Sequence, residues 1–103
     1  MKTSKGNLEL KYSVNAIAAH EEGFGIPFFE DLGKMAMPSL RRLICSGLYY
    51  CKAALTLAQA GDIIEDAICC GMDLIDINNE IIKALENAPF LMKLAGRGVD
   101  NGH

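Results

Sequence analysis

The side chains best suited to bind a metal or to act as nucleophiles are four cysteines and one histidine outside the C-terminus. Cys45 and Cys51 are six residues apart and Cys69 and Cys70 are adjacent, so neither pair has the C-x-x-C spacing of zinc and redox motifs. His20 begins the segment HEEGF, which lacks the second histidine of the H-E-x-x-H metalloprotease motif. We therefore expect reduced, buried or half-buried thiols, a histidine at a solvated helix end, and neither a metal nor another cofactor.

Acidic side chains form the second group with a capacity for chemistry. Asp62, Glu65 and Asp66 fall on one predicted helix, and Asp76 and Glu80 fall on the next. General acid-base catalysis needs a carboxylate in a pocket that shifts its pKa, and a polar helical stripe does not provide one. The D-x-D-x-D-G spacing of a calcium loop is also absent. We expect a solvated face, or a surface that attracts a basic partner, and predict that the protein is not an enzyme.

Charge and hydropathy argue against nucleic-acid and membrane partners. The ten basic and thirteen acidic residues leave a net charge of -3, which opposes binding to a phosphate backbone. Arg41 and Arg42 could open a helix-turn-helix, but its recognition helix, residues 57–70, contains no lysine or arginine. A secretory signal and a membrane-length apolar run are both missing from the sequence. We therefore predict a cytoplasmic protein.

Local patterns place a strand before the first helix. Leu8, Leu10 and Tyr12 alternate with polar residues, which predicts a short strand or hairpin. Ser13 can cap a helix that Gly23 would end. The predicted apolar face of that helix comprises Val14, Ile17 and Ala18.

Four more helices follow from capping signals and apolar periodicity. Pro27 suits the start of the second, and an apolar stripe marks the third after Pro38. A capping box of Thr56 and Gln59 begins the fourth, which Gly71 ends. The fifth starts at an aspartate cap and stops before a proline. The predicted core positions of these helices are Phe28, Leu32, Met35, Leu40, Leu43, Ile44, Gly47, Leu48, Ala60, Ile63, Ile64, Ala67, Ile68, Leu74, Ile77, Ile81, Ala84 and Leu85.

These elements predict a mainly α fold, in which a short N-terminal strand or hairpin precedes about five short helices in one compact domain. We assign residues 1–90 to the domain and residues 91–103 to a flexible C-terminal tail that ends in AGRGVDNGH.

The segment HEEGFGIPFFEDL carries more aromatic surface than one small core can bury. Phe28 and Phe29 lie about 100° apart on a helix, so both rings cannot face the same core. Exposed aromatic side chains are favoured anchors of protein interfaces. The predicted partner-binding residues are Phe24, Ile26, Phe28, Phe29, Tyr49 and Tyr50.

Four segments occur in an order that resembles a known family. They are LELKYSVNAIAAHEEGFGIPFFEDL, PSLRRLICSGLYY, LTLAQAGDIIEDA and INNEIIKALENA. Together they are similar to the small tail assembly chaperones of long-tailed phages and prophages, a group that includes the similar protein of gene transfer agents. The resemblance covers residues 8–90 and consists of pattern and order.

The resemblance implies a non-enzymatic role in the host bacterial cytoplasm. A protein of this family would bind the tape-measure protein, or another phage tail protein, and keep it soluble until the tail tube assembles. Self-association into a homo-oligomer is compatible with that role. Two alternatives remain open, namely a structural tail component retained in the particle and a small DNA-binding regulator.

Overall fold

The structure is a computed structural model that describes residues 1–94, so residues 95–103 of the predicted tail lie outside the described residues. The elements are β1 (Lys2–Thr3), β2 (Gly6–Asn7), α1 (Val14–Phe24), α2 (Phe28–Leu32), α3 (Met37–Gly47), α4 (Leu57–Cys69), α5 (Leu74–Glu86) and α6 (residues 89–94). The mainly α fold with a short N-terminal strand pair is confirmed. Helix α6 continues past residue 90, and its Leu91 packs against the core.

The N-terminal hairpin lies earlier in the chain than the alternating pattern indicated. β1 and β2 are antiparallel, with Lys2 opposite Asn7 and Thr3 opposite Gly6. The following segment, residues 8–12, has no partner strand among the described residues, although Leu10 and Tyr12 are buried as the alternation predicts. This extended segment packs against helices and, within residues 1–94, does not pair with another strand. Its alternate side chains are therefore buried although it is not part of the sheet of β1 and β2.

Tyr12 fixes this extended segment to helix α3. Its hydroxyl donates a hydrogen bond to the carbonyl of Leu43 at 2.8 Å, and burial raises the pKa of the phenol. Gly47 makes the close approach feasible, because a Cβ atom there would lie 2.8 Å from the Tyr12 hydroxyl oxygen. The N–H of Lys11 also donates to the Gly47 carbonyl at 2.8 Å. The glycine therefore lets the segment lie directly on the helix.

Helix α1 begins where the sequence predicts and ends two residues later. The Ser13 hydroxyl accepts a hydrogen bond from the N–H of Ala16 at 3.1 Å. The helix ends at Gly25, whose φ of 67° is the left-handed conformation that glycine adopts readily, and not at Gly23. Its buried face contains Ala16 and His20, whereas Val14 is exposed. The predicted apolar face is therefore rotated from the one that packs.

Helix α3 is the centre of the domain, since it contacts α1, α2, α4 and α5. The core consists mainly of its residues Leu40, Leu43 and Ile44 with Phe28, Leu48, Ala60, Ile64, Ala67, Ile77, Ile81 and Leu85. Two predicted core positions are exposed: Met35 follows the end of α2 in a left-handed backbone conformation, and Ile68 lies on the outer side of α4. None of the helices among residues 1–94 has the length and apolar character that a bilayer crossing needs.

Helices α4 and α5 both start with capping boxes. The N–H of Gln59 donates to the Thr56 hydroxyl at 3.1 Å, and the Gln59 side-chain oxygen accepts from the N–H of Thr56 at 2.9 Å. Asp73 and Asp76 make the same reciprocal pair. Gly71, with a φ of 103°, follows the end of α4 as predicted. These local bonds fix the first residues of α4 and of α5.

Replacing the capping threonine tests the first of these helix starts. Thr56→Ala removes the acceptor for the Gln59 N–H, and we expect the free energy of unfolding to fall by about 1 kcal/mol. Thr56→Ser keeps the hydroxyl and serves as the matched control, with a loss of less than about 0.5 kcal/mol. Urea denaturation measures both values. Equal stability of the alanine variant and the wild type would show that the capping box does not hold α4.

Candidate functional site

A buried polar network joins the first three helices. Asp31 of α2 accepts two hydrogen bonds from Arg42 of α3, at 2.8 Å from Nε to Oδ2 and 2.9 Å from Nη2 to Oδ1. His20 of α1 places Nε2 at 3.1 Å from Asp31 Oδ2 and Nδ1 at 2.8 Å from the Ser46 hydroxyl oxygen. The side chains of His20 and Asp31 are fully buried. Three helices therefore meet at one carboxylate.

The burial of His20 corrects the sequence expectation that it lies at a solvated helix end. That expectation followed from the two charged residues after it, Glu21 and Glu22. These residues are exposed, whereas His20 lies on the inner side of α1. Phe24 and Phe28 stack edge-on against the imidazole, with ring centroids 5.1 and 5.2 Å away. A fully buried histidine with aromatic neighbours on its ring and a hydrogen bond between Nδ1 and a serine hydroxyl is a core residue.

The pKa values in the network depend on the ion pair between Asp31 and Arg42. The two hydrogen bonds from Arg42 outweigh the effect of burial and lower the pKa of Asp31 to about 2. The same bonds raise the pKa of Arg42. Burial lowers the pKa of His20, and the nearby guanidinium adds to that effect while Asp31 opposes it. At neutral pH the network therefore consists of an ionised Asp31–Arg42 pair and an uncharged imidazole.

Ser46, His20 and Asp31 have the residue types of a hydrolytic triad, but their geometry favours a packing role. The Ser46 hydroxyl also lies 3.1 Å from the carbonyl of Arg42, one helical turn earlier, and its single proton can serve only one acceptor at a time. Arg42 already neutralises the carboxylate that would stabilise an imidazolium. The contact between His20 Nε2 and Asp31 lacks hydrogen-bond geometry. We interpret the network as a structural joint between helices.

A small cavity lies beside this joint and contains two of the predicted partner-binding residues. It measures about 90 Å³, and Phe24 and Tyr49 line it together with His20, Cys45 and Ser46. Burial raises the pKa of the Cys45 thiol, which keeps it protonated and weakly nucleophilic at neutral pH. The cavity thus brings Phe24 and Tyr49 together beside a weakly nucleophilic thiol.

The other predicted partner-binding residues lie in different surroundings. Phe28 is completely buried and belongs to the core, whereas Phe29 is 56% exposed, so the argument that both rings cannot enter one core is confirmed. Ile26 is half-buried. Tyr50 is exposed, and its hydroxyl donates to the carbonyl of Glu9 at 2.7 Å. Because Phe28 is buried, it has no surface free for a partner in this conformation.

The cysteines have two kinds of environment. Cys45 and Cys70 are half-buried as expected, whereas Cys51 and Cys69 are exposed, and all four are free thiols. Within residues 1–94, no group of three histidine, cysteine or acidic side chains is placed to hold a metal ion. Of the predicted solvated acids, Asp62 and Glu65 are exposed. Asp66 instead accepts hydrogen bonds from the N–H and hydroxyl of Ser4, both at 2.9 Å, and anchors the N-terminal hairpin to α4.

Sequence reasoning missed an open apolar groove between α3 and α4, which we call the α3–α4 groove. It measures about 370 Å³, and its lining is mainly apolar. Met37 is 45% exposed and Ile68 is 40% exposed. The groove is lined by Met37 and Arg41 of α3 and by Gly61, Ile64, Glu65, Ile68 and Cys69 of α4.

No signal for this groove is present in the sequence. The predicted stripe of α4, Ala60, Ile63, Ile64, Ala67 and Ile68, has the ordinary spacing of a helix face that packs on a core. Ile68 was assigned to the core on that pattern. The structure instead buries Ala60, Ile64 and Ala67 and leaves Ile68 at the edge of the groove.

Comparison of the chain with protein-family models, with curated proteins and with solved structures finds no match.

A charge-neutralising substitution tests the buried joint. Asp31→Asn leaves Arg42 without its carboxylate partner, and we expect a loss of about 3 kcal/mol in the free energy of unfolding. Glu30→Gln is the matched control, because Glu30 is the neighbouring carboxylate on α2 but is exposed; its loss should stay below about 0.5 kcal/mol. Chemical denaturation gives both values. Similar losses for the two variants would contradict the joint.

The lowered pKa of His20 predicts a pH dependence of stability. Above the ordinary histidine pKa of 6.5 the imidazole is neutral in both the folded and unfolded states. Below it the unfolded chain takes up a proton that the folded protein does not, so the free energy of unfolding falls as the pH drops. Denaturation at successive pH values should show a shallower fall for His20→Gln than for the wild type. An identical slope, or a wild type stabilised by acid, would contradict a neutral buried imidazole.

Proposed function

We propose that this protein is a non-enzymatic tail assembly chaperone of a long-tailed phage or prophage. It binds the tape-measure protein and keeps it soluble in the host bacterial cytoplasm until the tail tube assembles. The pattern resemblance over residues 8–90 supplies the family for this proposal. The observation that carries it in the structure is the open, mainly apolar α3–α4 groove.

The groove suits a client that exposes amphipathic helices before assembly. A helix laid in an apolar groove hides its hydrophobic ridge from other chains, and a few buried anchors supply most of the affinity. Met37 and Ile68 are partly exposed at the groove, so they are available as such anchors. A long client offers many helical segments, and several copies of the protein can cover it.

The size of the site also suits a chaperone that must release its client. The groove offers two exposed apolar anchors, Met37 and Ile68, and so few anchors favour a weak contact over a permanent one. Weak single contacts exchange quickly, because most differences in affinity between interfaces lie in the rate of dissociation. Tube subunits can then replace the chaperone as they polymerise around the client.

The joint between α1, α2 and α3 holds α3, which forms one wall of the groove. Arg42 points into the buried network, while Arg41, the next residue round the same helix, lines the groove. Rigid walls reduce the ordering cost that binding would otherwise carry. A stable frame with an open apolar site favours binding over chemistry.

Affinity capture from producing cells tests the proposal. The tagged protein is expressed in cells that carry the phage or prophage, and co-purified proteins are identified by mass spectrometry before and after particle assembly. We expect one very long, helix-rich tail protein to co-purify before assembly, and the tagged protein to be absent from finished particles. A tag-only strain is the control. Retention in the particles would identify a tail component, and recovery of no tail protein would contradict the family assignment.

A further inference from the structure

The floor of the α3–α4 groove depends on a glycine in the middle of a helix. Gly61 lies within α4, where glycine costs about 1 kcal/mol relative to alanine. A Cβ atom at this position would lie 3.3 Å from Arg41 Cδ, closer than ordinary packing allows. The missing side chain therefore lets the aliphatic stem of Arg41 lie against α4 at the groove.

Two opposite charges border the apolar floor without pairing with each other. Arg41 and Glu65 both line the groove, and within residues 1–94 neither takes part in an ion pair. An occupant that fills the groove removes water from both groups. That loss is unfavourable unless the occupant supplies an acid near Arg41 and a base near Glu65.

The shape of the groove selects a convex occupant. The ridge of a helix is convex and projects apolar side chains at i, i+3, i+4 and i+7. Its two flanks can carry charges of opposite sign.

We infer that the α3–α4 groove is the docking site for an amphipathic helix of the partner, with acidic residues along one flank of its apolar ridge and basic residues along the other. The inference rests on the proposed function, because it names the class of client segment that the chaperone holds. It also moves the contact from the aromatic residues of 24–29 to α3 and α4.

Binding of a synthetic helical peptide to the full chain tests this site. The peptide has about six turns, with leucines on its ridge, glutamates on one flank and lysines on the other. We expect Ile68→Asp to raise the Kd at least ~10-fold, because a charge then faces the apolar ridge. Ile75→Asp is the matched control, since Ile75 is 63% exposed on α5 and lies outside the groove; its Kd should equal that of the wild type.

Charge reversals test the two flanks separately. Arg41→Glu or Glu65→Lys gives the two charged residues that border the groove the same sign. Each substitution should raise the Kd about 10-fold. The double reversal should return the Kd to within about 3-fold of the wild type, because turning a helix end for end exchanges its flanks. Thermal melts confirm that each variant is folded. A double variant as weak as the single ones would overturn the role of the charges.

The native cysteines report where the peptide binds. Cys69 lines the groove and Cys51 is exposed elsewhere, so the peptide should slow alkylation of Cys69 and leave that of Cys51 unchanged. Protection of Cys69 before any peptide is added, relieved by deleting residues 95–103, would show that the chain's own end fills the groove. A dimer that Ile68→Asp dissociates would show that a second copy fills it. Either result overturns the inference.

The same variants separate this inference from the proposed function. If wild type and Ile68→Asp capture the same long tail protein from producing cells, the groove inference fails and the chaperone proposal stands. If the wild type captures no tail protein, the chaperone proposal fails, whatever the peptide does. Loss of the captured protein with Ile68→Asp, together with its recovery by Ile75→Asp, supports both.

Discussion

The ion pair between Asp31 and Arg42 is the constraint on which the first half of the fold depends. Helix α2 has five residues, too few to be stable by itself, so its position must come from tertiary contacts. Asp31 ties it to α3, and the N–H of its first residue, Phe28, donates to Glu21 of α1 at 2.8 Å. Removing one member of a buried pair leaves the other charge without its partner, so the pair holds α2 against α3.

Helix α3 directs two consecutive arginines into different surroundings. Arg41 and Arg42 are consecutive and therefore point about 100° apart. Arg42 reaches the buried carboxylate, and Arg41 lies along the groove over Gly61. Two adjacent, half-buried arginines thus have different surroundings, one in the buried network and the other in the groove.

Features set by neighbouring residues could be predicted from the sequence. The Ser13, Thr56 and Asp73 caps each depend on a side chain three residues from its partner amide, so a short stretch of chain contains the whole interaction. The exclusion of Phe29 from the core likewise follows from helix geometry. These features need no knowledge of the tertiary fold.

Features set by distant residues could not be predicted in the same way. His20 and Ser46 are 26 positions apart, and Asp31 and Arg42 are 11 apart, so no local pattern shows that they meet. The groove could not be predicted either, because the exposure of Ile68 depends on where α3 crosses α4. The period-two pattern of residues 8–12 was correct about burial, but it could not show that helices rather than strands cover that segment.

Hydrogen exchange of the protein bound to its captured client would test most directly whether binding occurs at α3 and α4. The groove account predicts that client binding slows exchange in peptides covering residues 37–41 and 61–69, while peptides covering residues 24–29 and 49–50 keep their rates. Slowed exchange confined to residues 24–29 and 49–50 would contradict it and return the contact to the aromatic residues.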